Sequence, residues 1–424
     1  MKWSYFTKKI KDVSWNELAA AGPMFAALLV FPFFKRKYKD TWLICEEPGE
    51  ARDNGYHFFK YLCEQQPQQK CYYAIRKKSP DYQKVAALGR TVEHGSIFHW
   101  ILYFTSAYNI SSQKGGKPNA ALCSFFELNN IFKPKNVFLQ HGITKDKNDW
   151  LMADKCRFSY FVTGMKSEDS FVREAFGYPE GIVHYTGFPR FDNLHGGAPD
   201  AASENVTAAG QKNGETRMAA GQQKNAGKKK QILIMPTWRK WLRSRSEKNE
   251  LLGDDIHTSA FLNGWRELLN SERLAKMIEE YDLEVIFYPH RHMQKHLEKF
   301  CPDHGKIRMA SDGEFEIQDL LISSQLLITD YSSVYFDMFY MKKPVIFYQF
   351  DEEEFRKYHY ESGWFDYHDN PFGNTYPDAE SVLDELERLI CVDFKVSAEF
   401  EAAHKAEFAL YDTKNSERIY YSLL

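Results

Sequence analysis

Apolar and polar positions change their pattern three times along the chain. Leu18–Phe34 (LAAAGPMFAALLVFPFF) runs without a charge and is followed by KRKYK. From Thr41 short apolar runs alternate with amphipathic stretches. Trp42–Cys45, Cys71–Ile75, Tyr108–Ser111, Val137–Leu139, Tyr160–Val162 and Val183–Tyr185 have the length and composition of strands. Tyr56–Glu64 and Ser167–Phe176 carry helical spacing, with Ser167 placed to cap the second helix and Gly177 and Pro179 to end it. The rhythm restarts with a strand at Ile232–Met235. Thr258–Glu280, Ile317–Ser323 and Val334–Met341 read as helices, and Leu283–Tyr288, Leu326–Thr329 and Val345–Tyr348 as strands. Such βα alternation predicts an α/β fold with doubly wound parallel sheets.

The two rhythmic halves are separated by a different kind of sequence. His195–Lys230 holds one Val, one Met and no Phe, Tyr or Trp among many Gly, Ala, Asn and Gln. Such a segment buries too little apolar surface to offset the entropy of ordering it, and reads as a flexible insert. The expected organisation is a membrane-associating segment at 1–40, an α/β domain at 41–194, the insert at 195–230 and a second α/β domain at 231–424. The first segment is short for a span of ~20 residues and is interrupted by Pro23 and Pro32. It reads as a packed N-terminal segment or as an interfacial anchor whose basic collar meets anionic lipid.

Composition narrows the function. A net charge of −3 over 424 residues gives no basic field for nucleic acid. Seven cysteines, widely spread and without a C-x-x-C pair, speak against a disulfide framework or a structural zinc site. No G-x-x-x-x-G-K-[ST] or strand-linked G-x-G-x-x-G loop and no H-E-x-x-H is present. The expectation is phosphate chemistry without an obligatory cofactor or metal.

In open α/β sheets ligands bind beyond the carboxyl ends of the strands. Four strands here end in polar residues: Gln140-His141-Gly142, Pro236-Thr237-Trp238-Arg239, Pro289-His290-Arg291-His292 and Asp330-Tyr331-Ser332-Ser333. His141, before a glycine, suits a general base or a turn histidine bonded to backbone. His290, Arg291 and Arg239 suit neutralisation of a diphosphate, and His292 reads as a surface residue. Ser332 and Ser333 precede a helix, where they either cap it or hold a phosphate with its free N–H groups. Asp330 orients a hydroxyl or histidine or closes the turn, and is expected with Thr237, Arg239, Arg291, Ser332 and Ser333 in the donor-phosphate site.

Together these segments resemble the CDP-glycerol glycerophosphotransferase family, the teichoic-acid primases and polymerases with their capsule-assembly relatives. The resemblance rests on Ala51–Leu62 (ARDNGYHFFKYL), Ser111–Ala120 (SSQKGGKPNA), Gln140–Asp146 (QHGITKD), Thr186–Leu194 (TGFPRFDNL), Met235–Arg239 (MPTWR), Thr329–Asp337 (TDYSSVYFD), Lys342–Phe355 and Gly363–Tyr367 (GWFDY). It implies a GT-B-like enzyme with two Rossmann-like domains facing each other across a cleft. It also implies transfer of a polyol phosphate, with glycerol favoured, from CDP-glycerol or CDP-ribitol to an undecaprenyl-diphosphate-linked acceptor, releasing CMP at the cytoplasmic face of the membrane. His141 would then be the base on the acceptor hydroxyl and His290 a contact to the donor diphosphate. Thr237, Ser332 and Ser333 would contact donor phosphate or polyol. Gln140 stands where many members have Trp. The same architecture also suits a sugar-nucleotide glycosyltransferase, and a non-catalytic scaffold of a polymer-assembly complex is the third reading.

Overall fold

The computed structural model describes residues 22–195, 229–242, 256–358 and 362–424. Most of the expected insert and the first 21 residues lie outside the described residues. The first sheet holds β1 (Trp42–Cys45), β2 (Cys71–Ile75), β3 (Thr91–Glu93), β4 (Tyr108–Ser111), β5 (Asn136–Phe138), β6 (Tyr160–Thr163) and β7 (Val183–Tyr185). They are parallel, in the order β3-β2-β1-β4-β5-β6-β7. The second holds β8 (Lys230–Ile234), β9 (Leu283–Phe287), β10 (Ile307–Met309), β11 (Ser324–Thr329), β12 (Val345–Tyr348) and β13 (Gly373–Tyr376). Its order is β10-β9-β8-β11-β12-β13, again parallel. Each order reverses once, between β1 and β4 and between β8 and β11. These are the switch points where loops part and a crevice opens.

Six helices matter below: α1 (Gly22–Tyr38), α2 (Asn54–Gln65), α3 (Ile97–Thr105), α4 (Lys166–Ala175), α5 (Tyr335–Tyr340) and α6 (Asn415–Leu423). Interior strands such as β1, β6 and β12 are buried at every position, as continuous apolar runs flanked by helices on both faces must be. β3, β10 and β13, edge strands of three or four residues, carry too little periodicity to be read from sequence.

Thr258–Glu280 is largely helical as expected, divided into Ala260–Leu269 and Glu272–Glu280, the second capped by Ser271 accepting from Leu274 N–H. Two local expectations are corrected. Ser167 does not cap α4, which starts at Lys166, and its hydroxyl donates instead to Glu407 Oε1 at 2.7 Å. The α5 helix is shorter than expected and is preceded by Val334, with no side-chain cap.

The chain end crosses back to the first sheet. On α6, Leu423 carbonyl accepts from Tyr108 hydroxyl (2.8 Å), and Ser422 hydroxyl lies 2.6 Å from Tyr160 hydroxyl. Asp192 accepts from the backbone N–H groups of Asn415 and Ser416. Residues at the end of the second half thus complete the packing of the first.

Candidate active site

The loops after β1, β4 and β5 face those after β8, β9 and β11. At the tip of β5 the backbone of Gln140 is left-handed (φ 61°), which costs a non-glycine residue roughly 1–2 kcal/mol. Its buried side chain holds it there. The amide donates to Val162 carbonyl (2.7 Å) and Glu168 Oε1 (2.9 Å), while Thr144 hydroxyl donates to Gln140 Oε1 (2.6 Å). Glu168, on α4, also accepts from the N–H groups of Thr144 and Gly164. Burial pushes its carboxyl up to about 8.

The turn at Gln140 delivers His141 into the crevice with its imidazole 71% exposed. Its Nδ1 lies 2.6 Å from Asp53 Oδ2. A carboxylate only accepts, so Nδ1 carries the proton and Nε2 keeps a lone pair toward the crevice. The Gln113 side-chain amide lies 2.9 Å from the same Nδ1, and its oxygen is the end that fits beside an N–H. The Asp53 charge raises the pKa of His141 above the usual imidazole value. Burial would raise Asp53, but the His141 and Arg190 charges overcome it and hold that carboxyl below the carboxylate range. Asp53 is fixed as the N-cap of α2, and Glu46 accepts from the N–H groups of Arg52, Asp53 and Tyr56.

Arg190 joins this pair to the second sheet. Its guanidinium donates to Asp53 Oδ1 (3.1 Å), His141 carbonyl (2.6 Å) and, through Nη2, Asp337 Oδ1 (2.8 Å). Asp337 lies on α5, four residues after Ser333. A Cβ built on Gly142 would stand 3.3 Å from Ser333 Oγ, so glycine permits the two loops to meet. Gly363 is pressed in the same way against the Lys145 carbonyl, and Trp364 donates from Nε1 to Thr144 carbonyl (3.0 Å). The GWFDY segment therefore packs on the loop that follows His141.

On the opposite wall Asp330 is fully buried at the second switch point. Its Oδ1 accepts from Thr237 N–H (2.8 Å) and Tyr331 N–H (2.6 Å), which ties the ends of β8 and β11 together. Thr237 Oγ1 is buried with no hydrogen-bond partner among the described residues. His290 accepts at Nδ1 from His292 N–H (3.2 Å), so the neutral ring carries its proton on Nε2. Burial, aided by the charges of His292, Arg291 and His141, pushes its pKa down to about 3. It is a neutral donor. Ser332 and Ser333 are partly exposed.

One of the expected phosphate contacts, Arg239, is turned away from the crevice. Arg239 is 0% exposed, with its guanidinium 2.7 and 2.9 Å from Asp351 and 2.9 Å from Asp330 Oδ2. Phe261, Tyr331 and Phe355 enclose it. It braces the wall from behind, and Asp330 is its counter-ion. Arg291 is half exposed and reaches Glu50 of the first half (3.1 Å), at the mouth of the crevice. His290 N–H donates to the Pro236 carbonyl beside Thr237, and Gly142, next to His141, lies against Ser333, so these residues and Ser332 line one crevice. Asp53, Arg190 and Asp337 were not singled out from sequence, although each lies within a segment that carries the resemblance.

Comparison with known proteins gives the family and the fold. Residues 25–424 match the family described as CDP-Glycerol:Poly(glycerophosphate) glycerophosphotransferase. The minor teichoic acid biosynthesis protein GgaB of Bacillus subtilis is 29% identical over 93% of this chain, which spans 40% of that protein. The teichoic acid ribitol-phosphate polymerase TarK of Staphylococcus aureus is 29% identical over 46% of this chain and 33% of its own length. The chain thus spans less than half the length of these relatives. The wall teichoic acid polymerase TagF shares the fold, with a TM-score of 0.68, 18% identity and coverage of 100% of this chain and 97% of that one. An S. aureus MnaA–UDP structure also superposes, more loosely, with a TM-score of 0.53, 12% identity and coverage of 91% and 98%. The arrangement is GT-B-like, and the chain belongs to the CDP-glycerol:poly(glycerophosphate) glycerophosphotransferase family.

Proposed function

We propose that this chain transfers a polyol phosphate, glycerol phosphate in the first instance, from a CDP-polyol to a hydroxyl of a lipid-linked saccharide or growing teichoic-acid-like polymer. The observation that carries the reading is the Asp53–His141 pair, an oriented imidazole facing a phosphate-suited wall. His141 Nε2 takes the proton of the acceptor hydroxyl as its oxygen attacks the β-phosphorus of the donor. The bond from that phosphorus to the bridging oxygen breaks, and CMP leaves with the electron pair. Nε2–H of His290 donates to a diphosphate oxygen without adding a proton that could be lost. Thr237 Oγ1 and the hydroxyls of Ser332 and Ser333 bind donor phosphate or polyol. The unpartnered Thr237 hydroxyl supports this, because a buried hydroxyl left alone costs about 1–3 kcal/mol. Such a site works by positioning and electrostatics, which suits phosphoryl transfer.

The helix α1 supports docking on the cytoplasmic face of the membrane. One side packs on α3, with Met24 and Ala27 buried and Phe31 against Phe104. The other side shows Phe25 (62% exposed), Leu29 (79%) and Phe33 (84%), one turn apart, beside Lys35, Arg36 and Lys37. Among the described residues no helix is long and apolar enough to cross a membrane. An apolar ridge with a basic collar fits the interface of an anionic bilayer, where an undecaprenyl-diphosphate-linked acceptor would be presented.

The donor is tested by offering CDP-glycerol, CDP-ribitol and UDP-sugars, each with membranes as acceptor source, and measuring CMP released from the CDP-polyols and UDP released from the sugars. Release from a CDP-polyol supports the reading. Turnover of a UDP-sugar alone would replace it with glycosyl transfer.

A further inference from the structure

The left-handed turn at Gln140 is held by a group that the reaction does not touch. Gln140 is 1% exposed, and its partner Glu168 on α4 is 0% exposed. The two oxygens of Glu168 serve different elements. Oε2 accepts from Gly164 N–H at 2.7 Å, at the start of α4, which has no side-chain cap at Met165. Oε1 serves the loop after β5, where it accepts from Gln140 Nε2 at 2.9 Å and from Thr144 N–H at 2.6 Å. One oxygen thus grips both ends of Gln140–Thr144, with His141 between them.

The peptide that leads into His141 is held from the other side. Asn54, 0% exposed, donates from Nδ2 to Gln140 carbonyl (2.7 Å) and accepts at Oδ1 from Arg190 N–H (3.1 Å). Support of a helix start does not by itself account for Glu168. Ser96, Ser259, Ser271 and Ser397 cap four other helices by accepting from backbone N–H, with no charge to bury. A buried carboxyl is far more costly. Among the described residues the hydrogen-bond partners of Glu168 are neutral N–H groups, with no cation among them.

We propose that Glu168 is a positioning residue for the base: through Gln140 it holds the left-handed turn and so aims Nε2 of His141 at the acceptor hydroxyl. The inference rests on the reading of His141 as the acceptor base. A non-glycine residue in this conformation is strained and keeps it only while its surroundings impose it. Without the grip of Oε1 the turn relaxes, His141 draws away from Asp53, and Nε2 leaves the line of attack. A misplacement of about 1 Å costs about 10²-fold in rate. The donor contacts stand on the opposite wall and do not depend on this loop.

Glycine populates left-handed backbone freely and alanine does not, so rescue by glycine is specific to a hold on the turn. Rates are measured on the full chain with CDP-glycerol and membranes as acceptor source, per folded protein and below the Tm of each variant. Glu168→Gln should lower kcat about 10–100-fold, with KM for CDP-glycerol within about two-fold of wild type. Gln140→Ala should show the same split, and Gln140→Gly should lose less. Adding Gln140→Gly to Glu168→Gln should raise kcat about five-fold or more above the single Glu168 variant, the mark of coupled residues. The His141 pKa, followed by NMR titration, reads the same geometry without turnover. It should fall toward the ordinary imidazole value in Glu168→Gln, as contact with Asp53 loosens, and rise again in the double variant. A wild-type kcat in Glu168→Gln, a loss confined to KM for CDP-glycerol, or no recovery with glycine would overturn the proposal. His141→Ala, assayed alongside, separates this claim from the reading beneath it. An undiminished His141→Ala rate removes the base and the proposal with it. A slow His141→Ala enzyme beside a wild-type Glu168→Gln removes the positioning claim alone.

Discussion

His141 Nδ1 lies 2.6 Å from Asp53 Oδ2, although 88 residues separate the two in sequence. The carboxylate fixes the tautomer, and in the proposed mechanism it would steady the imidazolium that forms when Nε2 takes a proton.

Asp53→Asn removes the charge that raises the pKa of His141. The active form is the neutral imidazole, so the rate rises with pH through the His141 pKa and is lost below it. In the wild type that limb lies above the ordinary imidazole value, and in the variant it should move to lower pH. Maximal turnover should fall about 10²–10⁴-fold. His290, at about 3, should contribute no limb between about pH 5 and 9. A limb left in place in the Asp53 variant would remove the pair from the mechanism. The pH–rate profile is the measurement.

Arg190 is a positioning residue. Arg190→Lys keeps the charge, but a single ammonium cannot hold Asp53, His141 carbonyl and Asp337 together. Turnover should drop about 10–100-fold through misplacement of the base, with a smaller change in KM for the donor. Asp337→Asn should produce the same split in weaker form. If KM for the donor rises while kcat holds, Arg190 serves binding and not the geometry of the base.

Arg239 makes the opposite prediction to the one its sequence context suggests. It is buried against Asp330 and Asp351, and removing one partner of a buried ion pair typically costs about 3–5 kcal/mol. Arg239→Gln should therefore lower stability by about that amount in urea unfolding. A stable variant with only a raised KM for CDP-glycerol would return Arg239 to direct donor contact.

The exposed ridge of α1 predicts a separation of binding from chemistry. Fully burying a large apolar side chain is worth about 1.5–3 kcal/mol. Phe25→Asp, Leu29→Asp and Phe33→Asp combined should abolish sedimentation with anionic vesicles. Turnover on a soluble acceptor should persist, since these side chains touch no residue of the crevice. Undiminished vesicle binding would place the anchor elsewhere.

The parts of this account that were legible in the sequence are those encoded locally. Trp42–Cys45, Cys71–Ile75 and Val345–Tyr348 are apolar runs of strand length, and the structure makes each a strand with those bounds. His141 and His290 were visible because they follow such runs. Asp53, Arg190 and Asp337 were not, because Arg190 stands 137 and 147 positions from its two partners. No spacing rule reaches that far. The apparent cap Ser332–Ser333 misled for a related reason: α5 begins two residues later, and Gly142, from the other half, lies against Ser333 instead. Arg239 misled because a sequence shows a charge after a strand but not the two carboxylates that enclose it.

The central claim is that His141, held by Asp53, deprotonates the acceptor in transfer from a CDP-polyol. Its direct test is His141→Ala, with donor binding and CMP release measured on the same preparation. Affinity for CDP-glycerol should stay at the wild-type level while CMP release falls about 10²–10⁴-fold. A folded His141→Ala protein that binds donor and releases CMP at the wild-type rate would contradict it.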